Sequence, residues 1–193
     1  MRLPEVERGD SIGHRLLIAF ISRIAKFRLP DAARVAFYDR RFAGPALGAW
    51  TQRAMRGPSA WSVPERELMA AAVASWNSCP FCVGAHGAVA VRGLDRSVVE
   101  ATLEDHRSAP IPERLRAALG FLEKLTREPD ALGPADVEAA IANGLTFDEL
   151  EDVAAVGAVF NIVARYANAL DFEIPSAADF DAGATMLLRR GYS

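Results

Sequence analysis

Ser62-Val63-Pro64-Glu65-Arg66-Glu67-Leu68, followed at a short distance by Asn77-Ser78-Cys79-Pro80-Phe81-Cys82-Val83-Gly84-Ala85-His86, decides how this chain folds. In the Ser62-x-x-Glu65 spacing the hydroxyl and the carboxylate can each accept a bond from the other residue's free backbone N–H, the reciprocal cap that opens a helix. The spacing predicts a helix from Glu65 to about Ser75. Asn77-Ser78-Cys79 then breaks the pattern, and Pro80, whose missing N–H costs nothing in a first turn, suits the start of a second helix running to about Arg92, with Gly93 beyond its end. Two helices joined by so short a break fold back as an antiparallel hairpin, with both cysteines at the N-terminus of a central helix.

Outward from this hairpin the chain reads as helix after helix. Ser11 can cap a helix whose Ile12, Leu16, Ala19, Phe20, Ile24 and Phe27 lie on one face, which is expected to pack into the core. Further helices are expected from Pro30 to about Phe42, from Leu47 to Met55, from Asp95 to Asp105, from Glu113 to Arg127 and from Gly133-Pro134 to Gly144. Thr146-Phe147-Asp148-Glu149 is a second capping box, opening a long apolar helix to about Leu170, and Ser176 with Asp179 can open a terminal one. No stretch alternates with period two between turn clusters, so the fold class is all-α.

The 193 residues suit one domain spanning 1–193, and 51% hydrophobic against 24% charged residues suffices for an ordinary buried interior. A net charge of -3 lacks the basic excess that neutralising a phosphate backbone requires, which argues against a nucleic-acid partner. Near the N-terminus the longest apolar run, Leu16 to Ile21, is too short to span a bilayer, and the acidic and basic residues around it do not suit a secretory signal. No membrane partner is expected and the chain reads as cytoplasmic, a reducing setting in which a close cysteine pair points to redox or metal chemistry.

Cys79, Cys82 and His86 fall within a narrow arc of one helix face. Cys82 and His86 are four residues apart, with Cβ atoms about 5–6 Å from each other, so the imidazole can exchange a proton with the thiol directly or through water. Both cysteines sit where free N–H groups and the helix dipole favour a thiolate. The Cys-x-x-Cys pair can close a small disulfide, so that one sulfur resolves a sulfenic acid formed on the other. Zinc is the poorer reading, because Cys-x-x-Cys-x-x-x-His supplies three ligands and a fourth would have to come from His106 or a remote carboxylate. Two buried cysteines acting as small hydrophobes are the bland alternative. His14 and His106 are expected at the surface, and Trp50, Trp61 and Trp76 as core or interface anchors. No Gly-rich loop has a strand-and-helix context, so no cofactor is implied.

Glu67-x11-Cys79-x2-Cys82-x3-His86, with Asn77 two residues before the first cysteine, resembles the core signature of the AhpD-like (alkylhydroperoxidase D) branch of the carboxymuconolactone decarboxylase superfamily. Val159-Phe160-Asn161-Ile162-Val163-Ala164-Arg165-Tyr166-Ala167-Asn168-Ala169-Leu170 is similar to the Phe- and Asn-containing helix that closes the domain in peroxidase-related members. The resemblance covers about 61–175, leaving 1–60 as a helical extension and 176–193 as a terminal helix. It implies an AhpD-like helical domain and a thiol-dependent peroxidase. Cys82 would attack a hydroperoxide, Cys79 would resolve it and exchange with a dithiol, lipoyl or thioredoxin-like reductant, and Glu67 with His86 would relay the proton. It further implies a homo-oligomer, for which an apolar face with Phe180, Leu187 and Leu188 offers a surface. The best-known peroxidase relatives carry a second histidine between the cysteines; this chain has Phe81 there.

Cys-Pro-Phe-Cys also looks like a glutaredoxin site, but that fold needs strands on either side of the motif helix, and none is legible here. A decarboxylase of the same superfamily would leave the cysteine pair unexplained. A non-enzymatic redox-sensing subunit, in which the disulfide alters a surface, is the remaining alternative.

Overall fold

The computed structural model describes residues 1–25, 28–38 and 43–192. Among these the chain forms α1 (Pro4–Arg8), α2 (Ile12–Ala25), α3 (Asp31–Tyr38), α4 (Pro45–Arg56), α5 (Val63–Trp76), α6 (Pro80–Ala90), α7 (Arg96–Asp105) and α8 (Glu113–Arg127). A single 3-10 turn at Pro129–Ala131, α9 (Pro134–Ala142), α10 (Phe147–Leu170) and α11 (Ala177–Arg190) complete it, with no strand among the described residues. The fold is all-α. The glutaredoxin reading falls with the absence of strands around the motif helix.

Both capping boxes form. Ser62 N–H donates to Glu65 Oε2 at 2.8 Å while Glu65 N–H donates back to Ser62 Oγ, and Thr146 pairs with Glu149 in the same way. Asp95 stands at the N-cap of α7, although its side chain makes no capping bond. α5 runs through the centre, buried from Arg66 to Ala74, and packs against α6, α10, α8, α7 and α4. Leu68, Val73, Leu119, Leu122, Val153, Val156 and Phe160 form the core between these helices. α10 has the length and apolarity to cross a membrane, but here its Val153, Val156, Phe160 and Ala164 are fully buried within the protein.

Three expectations need correction. Ile12, Leu16, Phe20 and Ile24 of α2 are 77, 65, 63 and 66% exposed rather than in the core, since apolar periodicity marks a face but not what covers it. Phe27 and Phe42, assigned to the first two expected helices, lie outside the described residues. Phe180 is not an open face: it lies against α6, where a Cβ on Gly84 would meet its ring at 2.5 Å, and Leu187 is half-buried, leaving Leu188 exposed. His106 is 4% exposed instead of superficial, edge-on to Trp76, and burial pushes its pKa below the usual value. Of the tryptophans, Trp61 is in the core and Trp50 is exposed.

The N-terminal helices are tied to the rest by a buried carboxylate. Asp31 accepts from the backbone N–H of Glu173 at 2.8 Å and pairs with Arg28 at 2.7 Å, joining α3 to the segment after α10.

Candidate active site

Glu67 lies in the second turn of α5, inside the hairpin and without solvent exposure. Its Oε2 is 2.7 Å from Nδ1 of His86 on α6, and its Oε1 accepts from Nη2 of Arg56 at the end of α4, also at 2.7 Å. The hydroxyl of Tyr192, beyond α11, reaches both carboxylate oxygens at 2.9 and 3.1 Å. Burial alone would raise the Glu67 pKa, but the hydrogen bond and charge of His86, with those of Arg56, more than offset it and hold the group below its ordinary value. Glu67 is therefore a carboxylate. The Nδ1–H of His86 donates to it, so Nε2 is the nitrogen turned to other partners. Phe160 of α10 meets the imidazole edge-to-face at 4.4 Å and fixes its plane.

The cysteines are placed by the break between α5 and α6. Ser78 adopts a left-handed backbone (φ 53), Cys79 is the N-cap and Pro80 the first helical residue. Asn77 holds this turn: its side chain donates to Val73 O at 2.9 Å and to Asn161 Oδ1 at 3.0 Å, while Asn168 donates to its carbonyl at 2.8 Å. Asn161 donates in turn to Thr126 at 3.1 Å, so α10 and α8 brace the cap on which the sulfurs sit.

Both thiols are free and each is 1% exposed, packed with Ala74, Phe81, Ala164 and Ala167. Cys79 is thus no more exposed than Cys82, although Ser78 and Pro80 on either side are at the surface. The Cys82 thiol and the backbone N–H groups of Cys82 and Phe81 hold the Cys79 pKa down, to about 7. Its neighbour's charge, with burial, pushes the Cys82 pKa up. Such negative charge as the pair carries at neutral pH therefore rests on Cys79, about half ionised there, with Cys82 as the thiol beside it.

Cys82 and His86 line a cavity of about 1200 Å³ whose wall includes Phe37, Phe81, Phe160, Phe172 and Phe180; Cys79 is not on that wall. Phe81 meets Phe172 edge-on at 5.2 Å, making the position between the cysteines part of an aromatic wall. No cluster of three or more His, Cys, Asp and Glu suited to a metal occurs among the described residues. The expected Glu67–His86 contact is present, and Cys82 shares the cavity wall with His86 one turn along α6. Arg56 and Tyr192 escaped the sequence reading, since neither stands at a recognisable spacing from the motif.

No protein-family model matches the chain, and no curated protein matches it. Solved structures do. An uncharacterized peroxidase-related protein from Silicibacter sp. TM1040 is 26% identical, with a TM-score of 0.76 over 93% of each chain. An uncharacterized peroxidase-related protein from Ralstonia eutropha JMP134, described as an alkylhydroperoxidase AhpD core, is 27% identical, with a TM-score of 0.74 over 95% of this chain and 96% of that one. The debrominase Bmp8, solved as a cysteine-to-alanine variant with 2,3,4-tribromopyrrole, is 19% identical with a TM-score of 0.70 over 93% of this chain and 94% of that one, and shares the fold.

Because the Cys79 charge depends first on the Cys82 thiol, the ultraviolet absorbance of the thiolate is expected to rise with a midpoint near pH 7. Cys82→Ala should move that midpoint upward, toward the ordinary thiol value of about 8.5. A midpoint unchanged by the substitution would contradict the shared charge.

Proposed function

Since the chain belongs to the AhpD-like, peroxidase-related proteins, we propose that it is a thiol-dependent peroxidase, reducing hydroperoxides through a disulfide cycle between Cys79 and Cys82. The observation that carries this reading is a buried dithiol on the helix that also presents His86, one turn from Cys82 and hydrogen-bonded to Glu67. Cys82 faces the cavity and is the attacking sulfur. Its proton passes to Nε2 of His86 or to the Cys79 thiolate, the Cys82 sulfur bonds to the terminal peroxide oxygen, and the O–O bond breaks. The alcohol leaves with that proton. Cys79 then attacks the sulfenic acid, an S–S bond forms and water departs, so two thiols are oxidised as ROOH becomes ROH and water. An external dithiol, lipoyl or thioredoxin-like, reopens the disulfide. Cys82→Ser should abolish peroxide consumption and Cys79→Ser should stop after one turnover with a sulfenate on Cys82. Mass spectrometry finding a sulfenate on Cys79 alone, in the protein lacking Cys82, would reverse the order.

The size and aromatic wall of the cavity favour a second reading, in which the same dithiol reduces a halogenated aromatic ring: the carbon–halogen bond is replaced by C–H, a halide leaves and the two thiols close to a disulfide. Bromide release from 2,3,4-tribromopyrrole, measured beside cumene hydroperoxide consumption, separates the two. Bromide without peroxide turnover would favour the reductive dehalogenase.

Self-association belongs to the same proposal. Ile12, Leu16, Phe20 and Ile24 recur every fourth residue along α2, an apolar ridge that a second copy of the chain can cover. Light scattering is expected to give a multiple of 20.8 kDa, and the double change Leu16→Glu, Phe20→Glu to return the monomer. A wild-type monomer at micromolar concentration would rule this out.

A further inference from the structure

Tyr192 is a residue that the proton chemistry described so far does not use, yet it enters the site at its most buried point. The chain leaves α11, turns at Gly191 with φ 70, and directs the tyrosine inward. A side chain at Gly191 would be strained by that φ and would also collide with Gln52, so glycine is needed for the turn. Gln52 accepts from the Tyr192 backbone N–H at 2.7 Å, and the Arg56 guanidinium lies over the tyrosine ring, 5.0 Å from its centroid. The tail is thus held by α4, the helix that also supplies the cation to Glu67.

The hydroxyl lies within hydrogen-bond distance of three atoms: Glu67 Oε1, Glu67 Oε2 and His86 Nδ1, the last at 3.2 Å. Burial and the adjacent Glu67 charge push its pKa well above the ordinary phenol value, so it is a neutral O–H. One proton can go to only one acceptor. The carboxylate takes it, and the phenol oxygen's lone pair then meets the Nδ1–H that already points at Oε2.

We propose that Tyr192 is a positioning residue of the dithiol site, its hydroxyl locking Glu67 and His86 in the arrangement that keeps the proton on Nδ1 and leaves Nε2 free to take one from a thiol. The reach of this proposal rests on the reading of Cys79 and Cys82 as the reacting pair. The titratable and charged groups around His86 are Glu67 from α5, Arg56 from α4, Cys82 one turn back on α6 with Cys79 beside it, Tyr192 itself, and Arg190 at the end of α11 on the cavity wall. α10 contributes the Phe160 ring. Removing the tyrosine hydroxyl takes one donor from Glu67, makes that carboxylate more basic, and so strengthens its hold on a protonated imidazole.

The test is Tyr192→Phe, which keeps the ring beneath Arg56, compared with wild type in the reduced full-length protein. Nuclear magnetic resonance of the imidazoles follows the titration and tautomer of His86, one of three histidines, assigned with His86→Gln. The expected result is a His86 midpoint displaced to higher pH. The rate of cumene hydroperoxide consumption should fall roughly ten-fold on the acid side of its pH profile and little on the alkaline side, the size expected for one hydrogen bond to a charged group. A folded Tyr192→Phe protein with the wild-type midpoint overturns the proposal. If the midpoint moves but the wild type consumes no peroxide, the positioning role stands and the peroxidase reading falls. Should Tyr192→Phe not fold, a chain ending at Arg190 replaces it: the same displacement supports the proposal, and an unmoved His86 overturns it.

Discussion

A carboxylate with no solvent exposure, Glu67, is the constraint around which the hairpin is built. Burying an unpaired carboxylate costs several kcal/mol, so its partners cannot be optional: leaving a buried charge without its counter-ion typically costs about 3–5 kcal/mol. Arg56 from α4, His86 from α6 and Tyr192 from the tail each meet it at hydrogen-bond distance, which draws three separate elements onto one point of α5. An apolar residue of similar size would serve stability as well or better. What the carboxylate adds is direction: it fixes the tautomer and plane of an imidazole whose other nitrogen can then act.

The sulfurs obey a second constraint, set by the backbone. A helix beginning at Pro80 leaves the N–H groups of its first turn without intrahelical acceptors, and those of Phe81 and Cys82 favour a thiolate on Cys79 at the N-cap. The same position within an apolar cluster resists a second charge, so the two thiols share one. Asn77, Asn161 and Asn168 keep the cap in place across the gap to α10. The asparagines in the stretch of α10 that resembles a family signature thus act by bracing the turn.

How far the sequence revealed this follows from the range of each interaction. Ser62–Glu65 and Thr146–Glu149 are closed within one turn, so their boxes were legible and both formed. The Glu67–His86 contact was legible through the family resemblance, which implied a relay between them, and the hairpin of α5 and α6 makes it. Tyr192 lies 125 positions from Glu67, and nothing local distinguishes a penultimate tyrosine that turns inward from one in solvent. Arg56 closes a helix as basic residues commonly do, and its role as counter-ion depends on tertiary packing alone. On α2 the failure had the opposite character: the apolar stripe was read correctly, but a stripe says only that water is unfavourable there, and a core or a second chain removes water equally well.

Phe81 shows what one position can exchange. The side chain between the cysteines joins Phe172 and Phe180 on the cavity wall. A phenyl ring can neither donate nor accept a proton, so a proton for Cys82 would have to be handled elsewhere, and His86 stands one turn along the same helix. The ring also lowers the polarity against which a substrate must lie. Water would gain little in such a space, while an apolar or aromatic body would bury favourable area at about 25 cal/mol per Å². A dithiol needs no large cavity to meet hydrogen peroxide itself. Under the peroxidase proposed above, a cavity of about 1200 Å³ with an aromatic wall would favour a hydroperoxide with an organic body, and Phe81 is part of that wall.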